Sequence, residues 1–178
     1  TSIDPNANWQ PGDEWTDTRD GQRYNTVQMG EQVWLAENLN IGDTISYYAY
    51  DNGIIEKRCY DDNENYCNTY GGIYRWPEMM QYASSDDKAI GTTQGICPSG
   101  WHIPTDEEWK TLEMELGMTR EQADSSGQRG TDQGSQLRQG GTSGFEALLG
   151  GYCKFGGCYS MGSAGAFFTA TEASSVSE

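Results

Sequence analysis

A histidine beside a run of carboxylates is the first feature of this sequence that could carry out chemistry. His102, the only histidine of the chain, lies in the segment GICPSGWHIPTDEEW. A catalytic triad would use it as the general base, oriented by a neighbouring acid. However, His102 stands between Trp101 and Ile103, just before a proline, and no G-x-S-x-G turn precedes it. This setting favours a half-buried packing histidine over a general base.

The acids that follow His102 have a structural explanation. Thr105 and Glu108 have the T-x-x-E spacing of a capping box, in which each side chain bonds the backbone amide of the other residue. Apolar residues at i, i+3 and i+7 from Trp109 lie on one helical face. Gly117 suits the residue that ends a helix. The spacing therefore predicts a helix that begins after Thr105 and ends before Gly117.

The five cysteines are the next reactive side chains. Cys59 and Cys67 bracket CYDDNENYC, and Cys153 and Cys158 bracket CKFGGC. Such spacing suits local disulfide loops in an oxidising compartment. A zinc site is the alternative, but neither pair is C-x-x-C and the chain has one histidine. We therefore predict two disulfides and an unpaired Cys97 whose partner is missing or lies in another chain.

The first cysteine loop also contains the best candidate metal ligands. Asp61, Asn63 and Asn65 place oxygen atoms at alternating positions, as at the start of a calcium loop. The glycine and the distal glutamate of an EF-hand are missing, so a solvated disulfide loop explains the same residues. Ca²⁺ is the one cofactor that the sequence suggests.

Tyrosines give the main indication of binding. A tyrosine offers an apolar ring face and a polar tip, which suit stacking on sugars or contact with a protein. The candidates in the polar middle region are Tyr47, Tyr48, Tyr50, Tyr60 and Tyr66. Packing of these rings in a loop-rich core is the alternative.

The elements that must position these groups are short. Residues 1–16 have no hydrophobic period and predict an N-terminal strap or linker, from which Trp9 and Trp15 could dock on the body. Tyr24–Met29 and Gln32–Leu35 flank a Gly-Glu turn, which predicts a β-hairpin.

Further along the chain, three segments carry weaker patterns. The segment WPEMMQYA (residues 76–83) predicts a short helix with proline at its first turn. Residues 119–143 are polar and predict a long surface excursion with a short helix at its start. The run Phe167–Thr171 is strand-like.

Length and charge limit the class of protein. A chain of 178 residues fits one domain with a core of useful size. Its formal net charge of -16 disfavours nucleic acid and anionic membranes as partners. No apolar run reaches the ~18 residues of a membrane span, so we expect no membrane insertion in this segment.

Several segments together resemble a known family, the Fibrobacter succinogenes major paralogous (FISUMP) domain. They are DGQRYNTVQMGEQVWLAENLN, CYDDNENYCNTYGGIYRW, GICPSGWHIPTDEEWKTL, GFEALLGGY and FFTATE. The match runs from about Asp17 to Glu172 in the family's order. The resemblance implies one domain over residues 17–178. It also implies an extracellular protein or one on the outer surface of a Gram-negative bacterium. It supplies neither established catalytic residues nor an agreed ligand.

A looser likeness links GWHIPTDEEW to formylglycine-generating-enzyme-like proteins. It implies an α+β, C-type-lectin-like fold with two short helices, a small mixed or antiparallel sheet and long loops. The copper-binding cysteines of that enzyme branch have no evident counterpart here, which disfavours that activity.

The FISUMP resemblance also implies a missing element. Family members continue past the STE-like motif into a further strand with a cysteine, which would be the natural partner of Cys97. We therefore expect a domain without its C-terminal strand, with self-assembly through Cys97 or a donated strand as a consequence.

These observations predict a function in binding rather than in catalysis. The expected protein is a non-enzymatic surface or adhesion module that recognises a glycan or a protein. The alternatives are a structural subunit of a surface fibre, and an enzyme related to the formylglycine-generating group or to carbohydrate hydrolases.

Overall fold

The architecture is α+β, with short elements joined by long irregular connections. The structure is a computed structural model, and it describes residues 4–46, 49–154 and 157–172. The bounds of the elements follow from the backbone hydrogen bonds. The strands are β1 (Trp15–Thr16), β2 (Arg23–Tyr24), β3 (Thr26–Met29), β4 (Gln32–Leu35), β5 (Asp43–Thr44), β6 (Glu56–Lys57), β7 (Tyr152–Lys154) and β8 (Gly157–Tyr159). The helices are α1 (Glu64–Tyr70), α2 (Trp76–Met79), α3 (Asp106–Glu115), α4 (Arg120–Ala123) and α5 (Gln133–Leu137), with a 3₁₀ turn at Tyr60–Asp62.

The strands form separate pairs rather than one sheet. In the described part of the chain there are four two-stranded sheets, of which β5–β6 is parallel and the others are antiparallel. The same residues contain five α-helices, where the resemblance led us to expect two. Isolated pairs of strands are marginally stable. Side-chain packing and disulfides must therefore hold these pairs in place.

The hairpin β3–β4 has the predicted position. Its register pairs Thr26 with Leu35 and Met29 with Gln32. Gly30 has a φ of 57°. A two-residue turn with a positive φ at its first central position needs glycine there, as the Gly-Glu sequence indicated. The prediction of this hairpin is confirmed.

Helix α3 begins as its sequence predicts. The Thr105 side chain accepts from the Glu108 amide, and the Glu108 carboxylate accepts from the Thr105 amide, so both halves of the capping box are present. Gly117 follows the helix with a φ of 100°. Such a conformation strains residues that carry a Cβ, which explains the stop at this position.

Helix α2 is shorter than the predicted 76–83. It ends at Met79 because Gln81 and Tyr82 adopt positive φ angles of 48° and 58°. The buried Glu78 carboxylate holds both residues, accepting from Gln81 Nε2 at 3.1 Å and from the Tyr82 hydroxyl at 3.0 Å. These side-chain bonds replace the second helical turn.

The predicted strand at Phe167–Thr171 is wrong, since the structure assigns no strand to these described residues. Their backbone bonds to side chains and loops instead. The carbonyl of Thr169 accepts from Trp76 Nε1 at 2.8 Å, and the amide of Ala170 donates to the Pro104 carbonyl at 2.8 Å. The segment is thus fixed at Thr169 and Ala170, while Phe167 and Phe168 precede these anchors.

The N-terminal strap docks on the body through tryptophans. Trp9, Trp15 and Trp101 form three edge-on ring pairs with centroids 5.2–5.8 Å apart. Buried aromatic pairs of this geometry contribute beyond their burial of area. Residues 9–16 therefore pack against the segment that carries His102.

The buried apolar residues divide into two clusters. The larger one contains Ile41, Met79, Met80, Ile96, Cys97, Ile103 and Ala170. The smaller one contains Met29, Leu112 and Phe145, with Trp34 and Trp109 packed against it. A domain of this size usually has one contiguous core. The space between these two clusters is therefore the place to look for a binding site.

Candidate binding groove

An apolar groove of about 900 Å³ is bordered by residues of both core clusters. Its lining includes Trp34, Trp109 and Phe145 from the smaller cluster, and Met79, Ile96 and Cys97 from the larger one. Ligand sites in proteins are concave, mostly apolar and of about 300–1,000 Å³. The groove has the size and character of such a site. It is the candidate functional site of the described residues.

Four aromatic rings form one wall of the groove. Trp34 and Trp109 lie 4.9 Å apart between ring centroids, and Phe145 lies 5.9 Å from Trp34 and 5.8 Å from Trp109. Phe167 extends this wall, 5.7 Å from Trp109. The next residue, Phe168, also lines the groove and is 50% exposed. This wall therefore presents large apolar side chains to solvent.

His102 lies on the groove with a carboxylate partner. Its Nε2 is 2.8 Å from Oε1 of Glu108. The other oxygen, Oε2, accepts from the amides of Thr105 at 2.9 Å and Gly91 at 3.2 Å. Because an ionised carboxylate only accepts hydrogen bonds, Nε2 carries the proton and Nδ1 is the acceptor when the ring is neutral. The Glu108 side chain thus holds both the helix start and the histidine ring.

The pair shifts the pKa values of both groups. The hydrogen bond with Glu108 raises the pKa of His102 above its ordinary value, although burial opposes this. Burial tends to raise the pKa of Glu108, but the hydrogen bonds from His102 and Thr105 outweigh it and lower the pKa. Both shifts favour an ion pair.

A histidine oriented by a carboxylate is one part of a nucleophilic site, but the other part is not formed. None of the described serines, threonines or cysteines is hydrogen-bonded to the His102 ring. Cys97 also lines the groove, but burial raises the pKa of its thiol to about 12. A thiol that stays protonated is a poor nucleophile. His102 therefore has the setting of a fixed residue in the groove wall rather than of a general base.

Most polar side chains of the groove already have partners in the chain. Gln32 Nε2 donates to the Glu108 carbonyl at 3.2 Å, and its Oε1 accepts from Trp34 Nε1 at 3.2 Å. The Glu37 carboxylate accepts from the amide and the side chain of Asn25, both at 2.7 Å. Asn38 donates to the Tyr70 carbonyl at 2.8 Å. The indole N–H groups of Trp15 and Trp109, which also line the groove, have no hydrogen-bond partner among the described residues.

None of the described tyrosine candidates lines the groove. Tyr47 and Tyr48 lie outside the described residues. Tyr50 is 66% exposed and is not among the residues that line the groove. Tyr60 and Tyr66 are half-buried and pack edge-on with centroids 5.7 Å apart. Ligand binding at these five tyrosines stays a prediction.

The predicted calcium ligands take up structural positions. Asp61 lies in the 3₁₀ turn, Asn63 caps helix α1 and Asn65 lies within that helix. The Asn63 side chain accepts from the Asn65 amide at 3.0 Å. The described residues contain no group of three or more His, Cys, Asp or Glu side chains that could hold a metal ion. Calcium binding at Asp61, Asn63 and Asn65 stays a prediction.

Two disulfides brace the chain within its described residues, Cys59–Cys67 and Cys153–Cys158. The first joins the 3₁₀ turn region to helix α1, and the second closes the β7–β8 hairpin. Cys97 is a free, buried thiol. All five cysteines thus have the bonding state that the sequence spacing predicts.

The groove was not predicted from the sequence. The sequence pattern places Trp109 on an apolar helical face and points to the tyrosines as binding residues. One signal was present, because Phe167-Phe168 stand side by side, and adjacent residues of an extended chain cannot both face one core. The gap between the clusters has no sequence signal, since it depends on packing.

Comparison with known proteins identifies the family of the chain. No helix of the described residues is long and apolar enough to cross a membrane. No curated protein matches the chain, and neither does any solved structure. A family model described as the Fibrobacter succinogenes major domain matches residues 27–178, which include both disulfides and every groove residue except Trp9 and Trp15. The chain belongs to the Fibrobacter succinogenes major domain family.

Proposed function

We propose that this chain is a non-enzymatic recognition module that binds an apolar segment of another protein in its aromatic groove. The observation that carries this proposal is the groove of about 900 Å³ between the two apolar clusters. Exposed apolar surface of this kind marks interaction sites. Burial of Phe167 and Phe168 by a partner would remove two large apolar side chains from water.

The apolar wall of the groove supports a protein ligand over a glycan. Sugars carry many hydroxyls, and a buried hydroxyl without a hydrogen bond is costly. The side chains of Gln32, Glu37 and Asn38 are already bonded within the chain. An apolar peptide segment needs few such partners and gains from the aromatic wall.

The charge of the groove supports a basic partner. Its lining includes Glu31 and Glu37 as well as the His102–Glu108 pair, and no described lysine or arginine belongs to it. The whole chain carries a formal charge of -16. Complementary charge speeds association and excludes acidic competitors. Nucleic acid is disfavoured as a partner for the same reason.

The proposed setting is the cell surface or the extracellular space. Two disulfides among the described residues support it, because such bonds persist in oxidising compartments. We extend the proposal to the outer surface of a Gram-negative bacterium, where the module would serve adhesion. The C-type-lectin-like fold belongs to the same proposal, supported by short helices, small sheets and long loops.

Two matched variants test the groove. Phe168 and Ile54 are each 50% exposed, but only Phe168 lines the groove. Titrations would use cellohexaose and a lysine-flanked peptide of alternating valine and threonine, with tryptophan fluorescence as the readout. We expect peptide binding that Phe168→Ala weakens about tenfold, as loss of roughly 1.4 kcal/mol implies, while Ile54→Ala leaves it unchanged. Equal effects of the two variants would place the binding surface elsewhere.

Glycan binding is a second candidate, at a surface next to the groove that shares Tyr152 with it. Tyr152 and Tyr159 stack with centroids 6.0 Å apart, and Lys154 Nζ lies 5.1 Å from the Tyr159 ring. Tyr159 is 39% exposed, so part of an aromatic ring with a nearby donor is accessible to a sugar. Cellohexaose binding that is lost in Tyr159→Ala and kept in Phe168→Ala would favour this candidate.

A further inference from the structure

Strand β4 has a free edge on the groove. Val33 and Leu35 lie opposite Gln28 and Thr26 in the hairpin. Hydrogen-bonded and non-hydrogen-bonded pairs alternate along an antiparallel ladder, and the bond from the Ala36 amide to the Asn25 carbonyl shows that Ala36 belongs to a hydrogen-bonded pair. By that alternation, Val33 and Leu35 form non-hydrogen-bonded pairs, so their amides and carbonyls point away from β3. These groups have no hydrogen-bond partner among the described residues.

The groove borders this edge rather than one face of the hairpin. Successive side chains of a strand point to opposite faces, so a cavity over one face would touch alternate residues. Here every residue from 31 to 39 lines the groove. The unpaired amides and carbonyls of Val33 and Leu35 therefore lie at its border.

A second unpaired stretch borders the groove at residues 165–168. Gly165 forms a parallel bridge with Gly151, in which the Gly151 amide donates to the carbonyl of Ala164, the neighbour of Gly165. The amide and carbonyl of Gly165 therefore point away from Gly151. The backbone groups of Phe167 and Phe168 make no hydrogen bond with any described residue. All four residues of the stretch line the groove. The groove thus has unpaired backbone at β4 and at residues 165–168, with apolar side chains around it.

We propose that the groove is a slot for one β-strand of a partner protein, inserted between β4 and residues 165–168. This inference rests on the proposed function and adds the partner's conformation. Addition of a strand to a free edge is a recurring mode of peptide recognition, in which the backbone supplies affinity and alternate side chains supply specificity. The inserted strand converts β3–β4 into a three-stranded sheet and joins the two core clusters into one.

Charge identifies the strand's chemistry. Besides the His102–Glu108 pair, the groove lining carries Glu31 and Glu37 and no described lysine or arginine. The partner strand is therefore apolar at alternate positions and carries lysine or arginine at its ends. A second copy of this chain is disfavoured, because each copy brings a formal charge of -16. The occupant is therefore a basic, strand-forming segment of a different protein.

The test uses the lysine-flanked valine–threonine peptide, of about nine residues, and two N-methylated forms. One form is methylated at odd residues and the other at even residues. A strand added to a single edge tolerates one of these patterns, whereas an inserted strand bonds on both sides and tolerates neither. We expect each methylated form to bind about tenfold more weakly or worse.

Hydrogen exchange locates the inserted strand. The peptide should slow exchange of the Val33 and Leu35 amides about tenfold or more, while Gln28, which faces the opposite edge of the same hairpin, changes less than about twofold. Protection of Gln28, or tolerance of either methylated form, overturns the insertion while groove binding still stands through the Phe168→Ala comparison. Concentration-dependent dimerisation with protection of Val33 in the absence of peptide would also overturn it, because the occupant would then be a second copy.

Discussion

His102 and Glu108 are joined by a 2.8 Å hydrogen bond from Nε2 to Oε1, and the same glutamate caps helix α3. The sequence suggested a packing histidine and a separate cap. The structure makes them one unit, in which a single buried carboxylate fixes a helix start and one wall of the groove. This unit explains why the acids near His102 need not be catalytic.

The His102–Glu108 pair should make stability depend on pH. The raised pKa of His102 gives a contribution that is complete below its ordinary value of 6.5 and is lost as pH rises through the folded value. The lowered pKa of Glu108 gives a contribution that is present above its ordinary value of 4.5 and is lost as pH falls. The pair therefore stabilises most between these values.

Urea denaturation of the wild type and of His102→Asn measures this effect. The difference in unfolding free energy should reach up to about 1 kcal/mol near pH 5.5, since the histidine is partly exposed and the pair is screened. It should shrink as pH rises above 7. Subtraction of the variant removes the contribution of the other titrating groups. A difference that does not change with pH would show that the pair is not ionic.

The disulfide Cys59–Cys67 should contribute measurably to stability. It closes a short loop, with a sequence separation of 8, around the 3₁₀ turn. The loss of loop-closure entropy in the unfolded chain corresponds to about 2.5 kcal/mol. The double variant Cys59→Ala, Cys67→Ala should therefore unfold at a lower urea concentration than the wild type. Equal midpoints for the two proteins would refute a bracing role.

The Cys97 thiol should be unreactive in the folded protein. Burial raises its pKa to about 12, so almost none of it is thiolate at neutral pH. Reaction with a disulfide reagent should be slower by on the order of 100-fold or more than in guanidinium chloride. Quantification of the released chromophore gives both rates. Rapid labelling without denaturant would mean that the groove exposes the thiol and would reopen a nucleophilic role for Cys97.

Local elements of this protein were readable because their signals are local. The capping box at Thr105, the Gly30 turn and the cysteine spacings each depend on residues close in sequence, and the structure contains all three. The length of helix α2 was not readable. It depends on Glu78, whose burial and side-chain bonds end the helix after one turn.

The candidate site could not be predicted from the sequence because its residues come from segments that are far apart in the chain. Trp34, Trp109 and Phe167 are far apart in sequence, and each alone reads as core. The strand-like pattern at Phe167–Thr171 marked apolar side chains correctly, but these residues do not form a strand. Tertiary bonds to Trp76 and Pro104 hold its end, and Phe167 and Phe168 remain on the groove.

The most direct test of groove binding is a titration of the protein with the lysine-flanked peptide, followed through the indole N–H resonances of its tryptophans. Trp34 and Trp109 line the groove, whereas Trp76 does not and is bonded to Thr169. We predict saturable shifts of the Trp34 and Trp109 signals with an unmoved Trp76 signal. Unchanged Trp34 and Trp109 signals at saturating peptide would contradict the account.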